Sequence, residues 1–411
     1  MNRFDLIVVG AGVSGVVSAI TSAREGKSVL ILEKLPQIGR KLKATGGGRC
    51  NLTNTLNHDE FIARFGKNGR FMDYALRLLD SKALMEFLES IEVATHAPDG
   101  MRIFPTTHNS STVIDALNKE MSRLNITTLC HQKVEELIYK DSRVLGVETL
   151  DSSFYSDRVI IASGGLGYPH LGSEGDGYSL SQKVGHTITT LYPAMMPLGT
   201  KESWVSKCRA DTIPKVQMRV DIKKYKKLSA KGDLIFTKNG IRGPVVLDFS
   251  REITPLLDKF DEVPILLNLT KGMNEEQIRT HLKNEHKKNP HSDTLALLKT
   301  LLPTELSKAL CDLAEIDTES NLYTQNGINR DKLIRLLTST PLTINRHDGF
   351  KMAMITRGGV SLKEIDPKSM QSKLIKGLYF AGEVVDIDGP CGGFNIQWAF
   401  SSGYLAGKLK D

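Results

Sequence analysis

Cysteine is scarce in this chain, and what there is lies scattered. Cys50, Cys130, Cys208, Cys311 and Cys391 are odd in number and far apart, which argues against a disulfide framework or a zinc cluster, so no metal is expected. No Cys-x-x-Cys occurs, so the redox-active disulfide of the pyridine-nucleotide disulfide reductases is missing. Long apolar runs are also lacking: none reaches the roughly 18 residues that a membrane-spanning helix needs. Met1-Asn-Arg-Phe-Asp5 leads directly into a strand-like run with no signal-peptide pattern, so a soluble, cytoplasmic protein without a membrane partner is expected. Acidic residues are in modest deficit, giving a formal charge of +7. Residues 201–231 carry ten Lys/Arg against three Asp/Glu, an excess as large as that of the whole chain.

The most informative stretch is the first 33 residues. Asp5-Leu-Ile-Val-Val9 runs into Gly10-Ala-Gly12-Val-Ser-Gly15 and then into a helix-like segment, Val16 to Glu25. In that context Gly10 permits a tight turn, Gly12 lets the backbone approach a pyrophosphate, and Gly15 lets helix and strand pack closely. A second apolar run, Ser28-Val-Leu-Ile-Leu, ends on Glu33, 18 residues past Gly15. That is close to the ~20 expected of the carboxylate that binds an adenosine ribose. An ordinary glycine-rich turn would explain the glycines, but it makes no demand for the acid. No second Gly-x-Gly-x-x-Gly is visible, so only one dinucleotide is expected to be held tightly.

After Glu33 come Gly39-Arg-Lys41 and Ala44-Thr-Gly-Gly-Gly-Arg-Cys-Asn-Leu-Thr-Asn54. Three consecutive glycines cannot build a packed helix or strand, but they can lay bare N–H groups against a ligand. This block resembles the signature of the BaiN/RdsA family of NAD(P)/FAD-dependent oxidoreductases, and matching blocks recur along the chain. Ala162-Ser-Gly164 resembles the Ala-Thr-Gly that returns a strand to the cofactor, and Gly172-Ser-Glu-Gly-Asp-Gly177 follows it. Asp176 there reads equally well as a helix cap. Near the carboxyl terminus stand Gly377-Leu-Tyr-Phe-Ala-Gly-Glu383 and Gly389-Pro-Cys-Gly-Gly-Phe-Asn-Ile-Gln-Trp398. A helix starting at Gly392-Gly393 would turn unpaired N–H groups toward the flavin's N1/O2 edge.

The resemblance implies an α/β fold: a Rossmann-like FAD-binding domain with a parallel sheet, interrupted by a β-rich plus helical insert domain. The expected bounds are 1–190 and 342–411 for the FAD-binding domain and 191–341 for the insert, β-rich to about 272 and helical from about 273. The implied FAD contacts are Gly10, Gly12, Ser14, Gly15, Glu33, Lys34, Arg40, Lys41, Gly47, Gly48, Asn51, Val134 (to adenine), Ser163, Gly164, Gly382, Glu383, Asp388, Gly393, Phe394, Asn395 and Ile396.

Local patterns add detail. Arg70 to Ser90 reads as one helix, Pro98-Asp-Gly100 as a hairpin turn, and Ser110 or Ser111 as a helix cap. Phe154 to Ile161 and Val245 to Phe249 read as strands, while Asn274 to Lys287, Leu295 to Leu302, Pro303 to Leu313 and Arg330 to Thr338 read as helices. Phe236 to Pro244 matches a family block near the active site, though a turn explains its glycines and proline as well.

In this family FAD carries the chemistry, and NADH or NADPH would visit transiently. The implied reaction is hydride addition from flavin N5 to a carbonyl-conjugated C=C bond, with uridine in large-subunit ribosomal RNA or a conjugated steroid ketone as acceptor. The basic tract favours RNA, because cationic surface attracts phosphate. It also reads as a merely solvated face, and a flavin-dependent RNA-binding scaffold without turnover would share the motifs. Cys50, beside Arg49, is a candidate proton donor, with Cys391 its rival.

Overall fold

In the computed structural model, which describes residues 3–410, five short apolar segments form a parallel sheet. Their order is Leu378–Phe380, Val159–Ile161, Leu6–Val9, Val29–Leu32 and Thr127–Leu129. Ile7 lies opposite Val159 on one side and Leu30 on the other. Every residue of the four strands other than Thr127–Leu129 is buried, as expected of a parallel sheet covered on both faces. The fold is Rossmann-like. Helix Val13–Arg24 packs against the carboxyl-terminal helix Phe394–Gly407 through a stripe of small residues. A side chain at Gly403 would put its first carbon 2.4 Å from the Ser14 carbonyl oxygen, and one at Gly407 would meet that of Ser18 at 2.5 Å.

Three antiparallel strands, Val134–Lys140, Arg143–Thr149 and Ser153–Tyr155, form a separate small sheet. The expected strand from Phe154 to Ile161 is in fact two, because the Ser156 hydroxyl bonds the Arg158 carbonyl and N–H and turns the chain between them. The expected helix from Arg70 to Ser90 is likewise two, Gly69–Leu78 and Ser81–Glu89, since Asp80 caps the second by accepting from Ala83 N–H at 2.8 Å. Asn109, rather than either serine, caps helix Ser110–Arg123, leaving the Ser110 hydroxyl to donate to the Lys43 carbonyl.

The chain divides into two units, one running to Pro193 and resuming at Ala353, the other Ala194–Met352. The second unit is built on a closed barrel of Leu198–Thr200, Gly240–Arg242, Ser229–Thr237, Thr212–Val220, Val263–Asn268 and Thr340–Arg346. Its helices are Pro244–Phe260, Glu275–Lys288, Thr294–Leu298, Thr304–Ala314 and Gly327–Ser339. Two expectations fail here. Val245 to Phe249 is helix: Pro244 occupies its first turn, and Val246, Phe249, Ile253 and Leu257 recur at helical spacing on a buried face. The segment from 342 stays in the barrel, because Thr340–Arg346 pairs with Val263–Asn268 and Leu198–Thr200 and so removes the open edges. Among the described residues no helix is long and apolar enough to cross a membrane.

Candidate functional site

The glycine loop after the first strand has three glycines with three different surroundings. A first side-chain carbon at Gly10 would come within 2.9 Å of the Ala162 carbonyl oxygen, and one at Gly15 would sit 2.0 Å from the Gly10 carbonyl oxygen. These two glycines let Val159–Ile161 and helix Val13–Arg24 close on the loop. At Gly12 the nearest atom would be 3.9 Å away, so this glycine leaves room for a ligand rather than for protein. Glu33, buried at the end of the second strand, accepts the Ala11 N–H at 2.7 Å and the Leu35 N–H at 2.9 Å. Its carboxylate is thereby held against the glycine loop. Lys34, next in the chain, pairs with Glu174 and Asp176, so Asp176 is more than a helix residue. Burial alone would pull the Lys34 ammonium down, but the two carboxylates outweigh it and hold its pKa above the usual value.

The triple-glycine block follows helix Arg40–Ala44, which carries Arg40 and Lys41. Gly46, Gly47 and Gly48 have φ of 59°, 65° and 87°, a run of left-handed backbone that presents N–H groups as a concave nest. Nothing in the protein would touch a side chain placed at Gly47 or Gly48. Cys50 then closes the loop with φ 62°, its N–H donating to the Thr45 carbonyl at 3.1 Å. Its side chain is 0% exposed, and burial pushes the thiol up to about 11 against a small opposing effect from Thr45. A thiol so placed stays protonated at neutral pH, and its surroundings are those of a core residue.

This block meets the carboxyl-terminal one. Lys41 Nζ lies 2.7 Å from Glu383, Asn54 donates to the Gly392 carbonyl at 2.9 Å, and the Asn51 amide oxygen accepts the Gly393 N–H at 3.1 Å. Gly393 must be glycine: with φ 85° it packs so tightly on Thr53 that a first side-chain carbon would lie 2.6 Å from that backbone. The loop before the helix is shaped by Asn395, which bonds both the N–H and the carbonyl of Gly389. Gly382, with φ 77°, is fixed by Ser402 Oγ on its N–H and the Trp398 indole on its carbonyl. Phe394 turns away into a ring cluster with Phe61 and Phe65, Ile396 and Cys391 are half-buried, and Asp388 is buried.

The strand Val159–Ile161 ends at Ser163-Gly164, with Gly164 at φ 75°. Ser163 Oγ is buried and has no hydrogen-bond partner, an orphaned donor of the kind a ligand satisfies. Val134 opens the small antiparallel sheet and is buried there. Sequence reasoning missed Thr356, whose N–H donates to Glu383 Oε1 at 2.8 Å and whose hydroxyl accepts the Leu166 N–H at 2.7 Å. It also missed Asp386, whose carboxyl is raised above its ordinary value by burial and then by Asp388, with Thr189, Lys67 and Arg357 opposing. The signals were present as Thr356-Arg-Gly-Gly359 and as the Asp-x-Asp of 386–388, but neither spacing names a chemistry.

The residues present fit a flavin dinucleotide. An open glycine at a helix start, a carboxylate at the second strand, an empty nest at Gly47 and Gly48, and an orphaned hydroxyl at Ser163 all lie in one unit. The first turn of the 14-residue helix Phe394–Gly407 adds the positive end of a helix dipole.

Comparison with known proteins agrees with this geometry. The 3-dehydro-bile acid delta(4,6)-reductase of Clostridium scindens is 32% identical, the match covering 99% of this chain and 98% of that protein. The ribosomal RNA dihydrouridine synthase of Escherichia coli is 28% identical, covering 99% and 98% respectively. In fold, a 3-ketosteroid delta1-dehydrogenase from Sterolibacterium denitrificans superposes with a TM-score of 0.56 at 12% identity, covering 100% of this chain and 99% of that one. The model described as HI0933-like protein Rossmann domain matches residues 4–409, and the chain belongs to that family, of the BaiN/RdsA type.

Proposed function

We propose that this flavin-dependent oxidoreductase binds FAD in its Rossmann-like unit and reduces a carbonyl-conjugated C=C bond, that of uridine in large-subunit ribosomal RNA. The observation that carries the FAD assignment is the convergence of Lys41, Asn51, Glu383 and Gly393 on the first turn of one helix, from blocks 342 residues apart. Gly10, Gly12, Ser14 and Gly15 receive the pyrophosphate, and Glu33 with Lys34 receives the adenosine ribose, near Val134 for the adenine. Arg40, Lys41, Gly47, Gly48, Asn51, Ser163 and Gly164 line the middle of the cofactor. Gly382, Glu383, Asp388, Gly393, Phe394, Asn395 and Ile396 surround its flavin end.

When bound, FAD supplies hydride to one carbon of the double bond, and NADH or NADPH replenishes it transiently. The chain's own task is to exclude water, to hold negative charge at the helix start, and to give a proton to the neighbouring carbon. Cys391, half-buried two residues before Gly393, is the assigned donor; Cys50 serves the loop from within the core.

RNA as acceptor is supported by the relatives named ribosomal RNA dihydrouridine synthase and by lysines exposed on the second unit. Lys223, Lys224, Lys226 and Lys227 cap the hairpin of Thr212–Val220 and Ser229–Thr237. The relative named 3-dehydro-bile acid delta(4,6)-reductase supports the second reading, a small enone as acceptor. Mass spectrometry of ribosomal RNA from cells with and without the gene decides between them. Loss of a uridine carrying two extra hydrogens is the expected result. Unchanged RNA, with NAD(P)H consumed on adding a steroid enone to the purified protein, would establish the small-molecule reading.

A further inference from the structure

The tip of the hairpin carries more than charge. Between Val220 and Ser229, Lys223–Tyr225 make one turn of 3-10 helix, and Tyr225 packs on the barrel core. Its ring meets that of Phe260 edge-on, with centroids 6.0 Å apart and planes at 73°. Phe260 ends helix Pro244–Phe260, is 39% exposed, and is not among the residues packed on that core. A large apolar ring left in water calls for an explanation when lysines surround it. Lys259 Nζ sits 5.1 Å from the Phe260 ring centre, 5.9 Å from that of Tyr225 and 3.3 Å from the Tyr225 hydroxyl, while Lys224 Nζ is 5.9 Å from Tyr225.

The charge here is available for binding. Elsewhere in the same tract Lys201 is held by Glu262 and Lys207 approaches Asp312. Among the described residues no ion pair engages Lys223, Lys224, Lys226 or Lys227, and all four are exposed. Asp221, Asp258 and Asp261 lie nearby in sequence, fewer than the five lysines counting Lys259. Lysines alone bind any phosphate backbone, duplex or single-stranded. An exposed ring among them adds a selective element, because a base can stack on it only if it is not already stacked in a helix.

Resting on the RNA reading above, we infer that this tip binds an unpaired stretch of RNA, with Phe260 stacking on a base while Lys223, Lys224, Lys226, Lys227 and Lys259 follow the phosphates. The second unit thereby selects looped rather than duplex RNA.

The test uses the full-length, flavin-loaded protein and fluorescence anisotropy with two probes, a mixed-sequence single strand of roughly 12 nucleotides and a duplex of the same length. The wild type binds the single strand more tightly. Phe260→Ala weakens that binding roughly tenfold, leaves duplex affinity and the salt slope unchanged, and is rescued by Phe260→Trp. Phe260→Ala that binds the single strand like the wild type, or that loses the same factor on duplex, overturns the inference. Binding lost only toward phosphatidylglycerol vesicles overturns it too, and would mark the tip as a membrane contact. Replacing Lys223, Lys224, Lys226 and Lys227 by alanine weakens both RNA probes and flattens the log–log salt dependence by about 3. If that variant binds both probes normally, the RNA reading itself fails; if it weakens both while Phe260→Ala does nothing, only the stacking inference fails.

Discussion

Lys41 Nζ lies 2.7 Å from a carboxylate oxygen of Glu383, which stands 342 residues further along the chain. The other oxygen of that carboxylate accepts the Thr356 N–H at 2.8 Å, so one side chain ties together three segments around the candidate flavin site. Both partners are largely shielded from water, so the pair is screened less than a surface pair would be. Removing Lys41 leaves a shielded carboxylate without its counter-charge. Lys41→Met is therefore expected to weaken FAD retention about tenfold or more, and Glu383→Gln, which still accepts the Thr356 N–H, less than Glu383→Ala. Flavin fluorescence on dilution measures this, and equal retention in all variants would contradict it.

Gly12 and Gly15 separate cofactor binding from folding. Gly12 has φ −71° and no close neighbour, so Gly12→Ala should leave the apoprotein's melting temperature unchanged while impairing FAD uptake. Gly15→Ala meets the Gly10 carbonyl oxygen at 2.0 Å, and overpacking of that kind costs about 1–3 kcal/mol or more. It should lower the melting temperature of the apoprotein itself. Calorimetry of both variants without flavin is the check.

The two cysteines should fail differently. Cys50→Ser puts a hydroxyl into a fully buried site and is expected to cost about 1–3 kcal/mol of stability, with turnover per bound flavin preserved. Cys391→Ser is expected to slow substrate reduction by about 10²–10⁴, the usual worth of a positioned acid, while flavin reduction by NAD(P)H keeps its rate. Stopped-flow absorbance separates the two half-reactions. Unaltered turnover in Cys391→Ser would place the proton on another residue.

Asp386 provides a pH signature. Its carboxyl is raised above the ordinary value near 3.8, first by burial and then by Asp388. A group with a raised folded-state pKa favours the folded state while it is protonated, and that contribution is lost as pH climbs through the folded value. At neutral pH the charged Asp386 therefore opposes folding. Asp386→Asn should melt higher than the wild type at pH 7, with the difference shrinking on acidification toward the ordinary aspartate range. A difference that grows on acidification would reverse the sign.

The flavin-type fold was legible because its first unit is local. Strand, glycine turn, helix and second strand follow one another between Leu6 and Leu32, and each glycine answers to a neighbour only a few residues away or to open space. The helices Glu275–Lys288 and Thr304–Ala314 were legible for the same reason, since apolar spacing and caps are written within them. Val245 to Phe249 was not: a five-residue apolar run reads as strand or helix until the barrel it packs on is known. Nor was the end of the insert, because Thr340–Arg346 is a barrel strand only by virtue of partners 72 to 142 residues or more before it in the chain.

Residue types and their local order thus determined by themselves the Rossmann-like start, the glycine nest and the family. Tertiary structure alone decided what the nest faces, that Cys50 is sealed in the core while Cys391 is half-buried, that Thr356 and Asp386 join the site, and that Lys223 to Lys227 surround exposed rings. The physical reason is that burial, ion pairing and close contact depend on distance in space, and a 2.7 Å contact across 342 residues leaves no periodic trace in the sequence on either side of it.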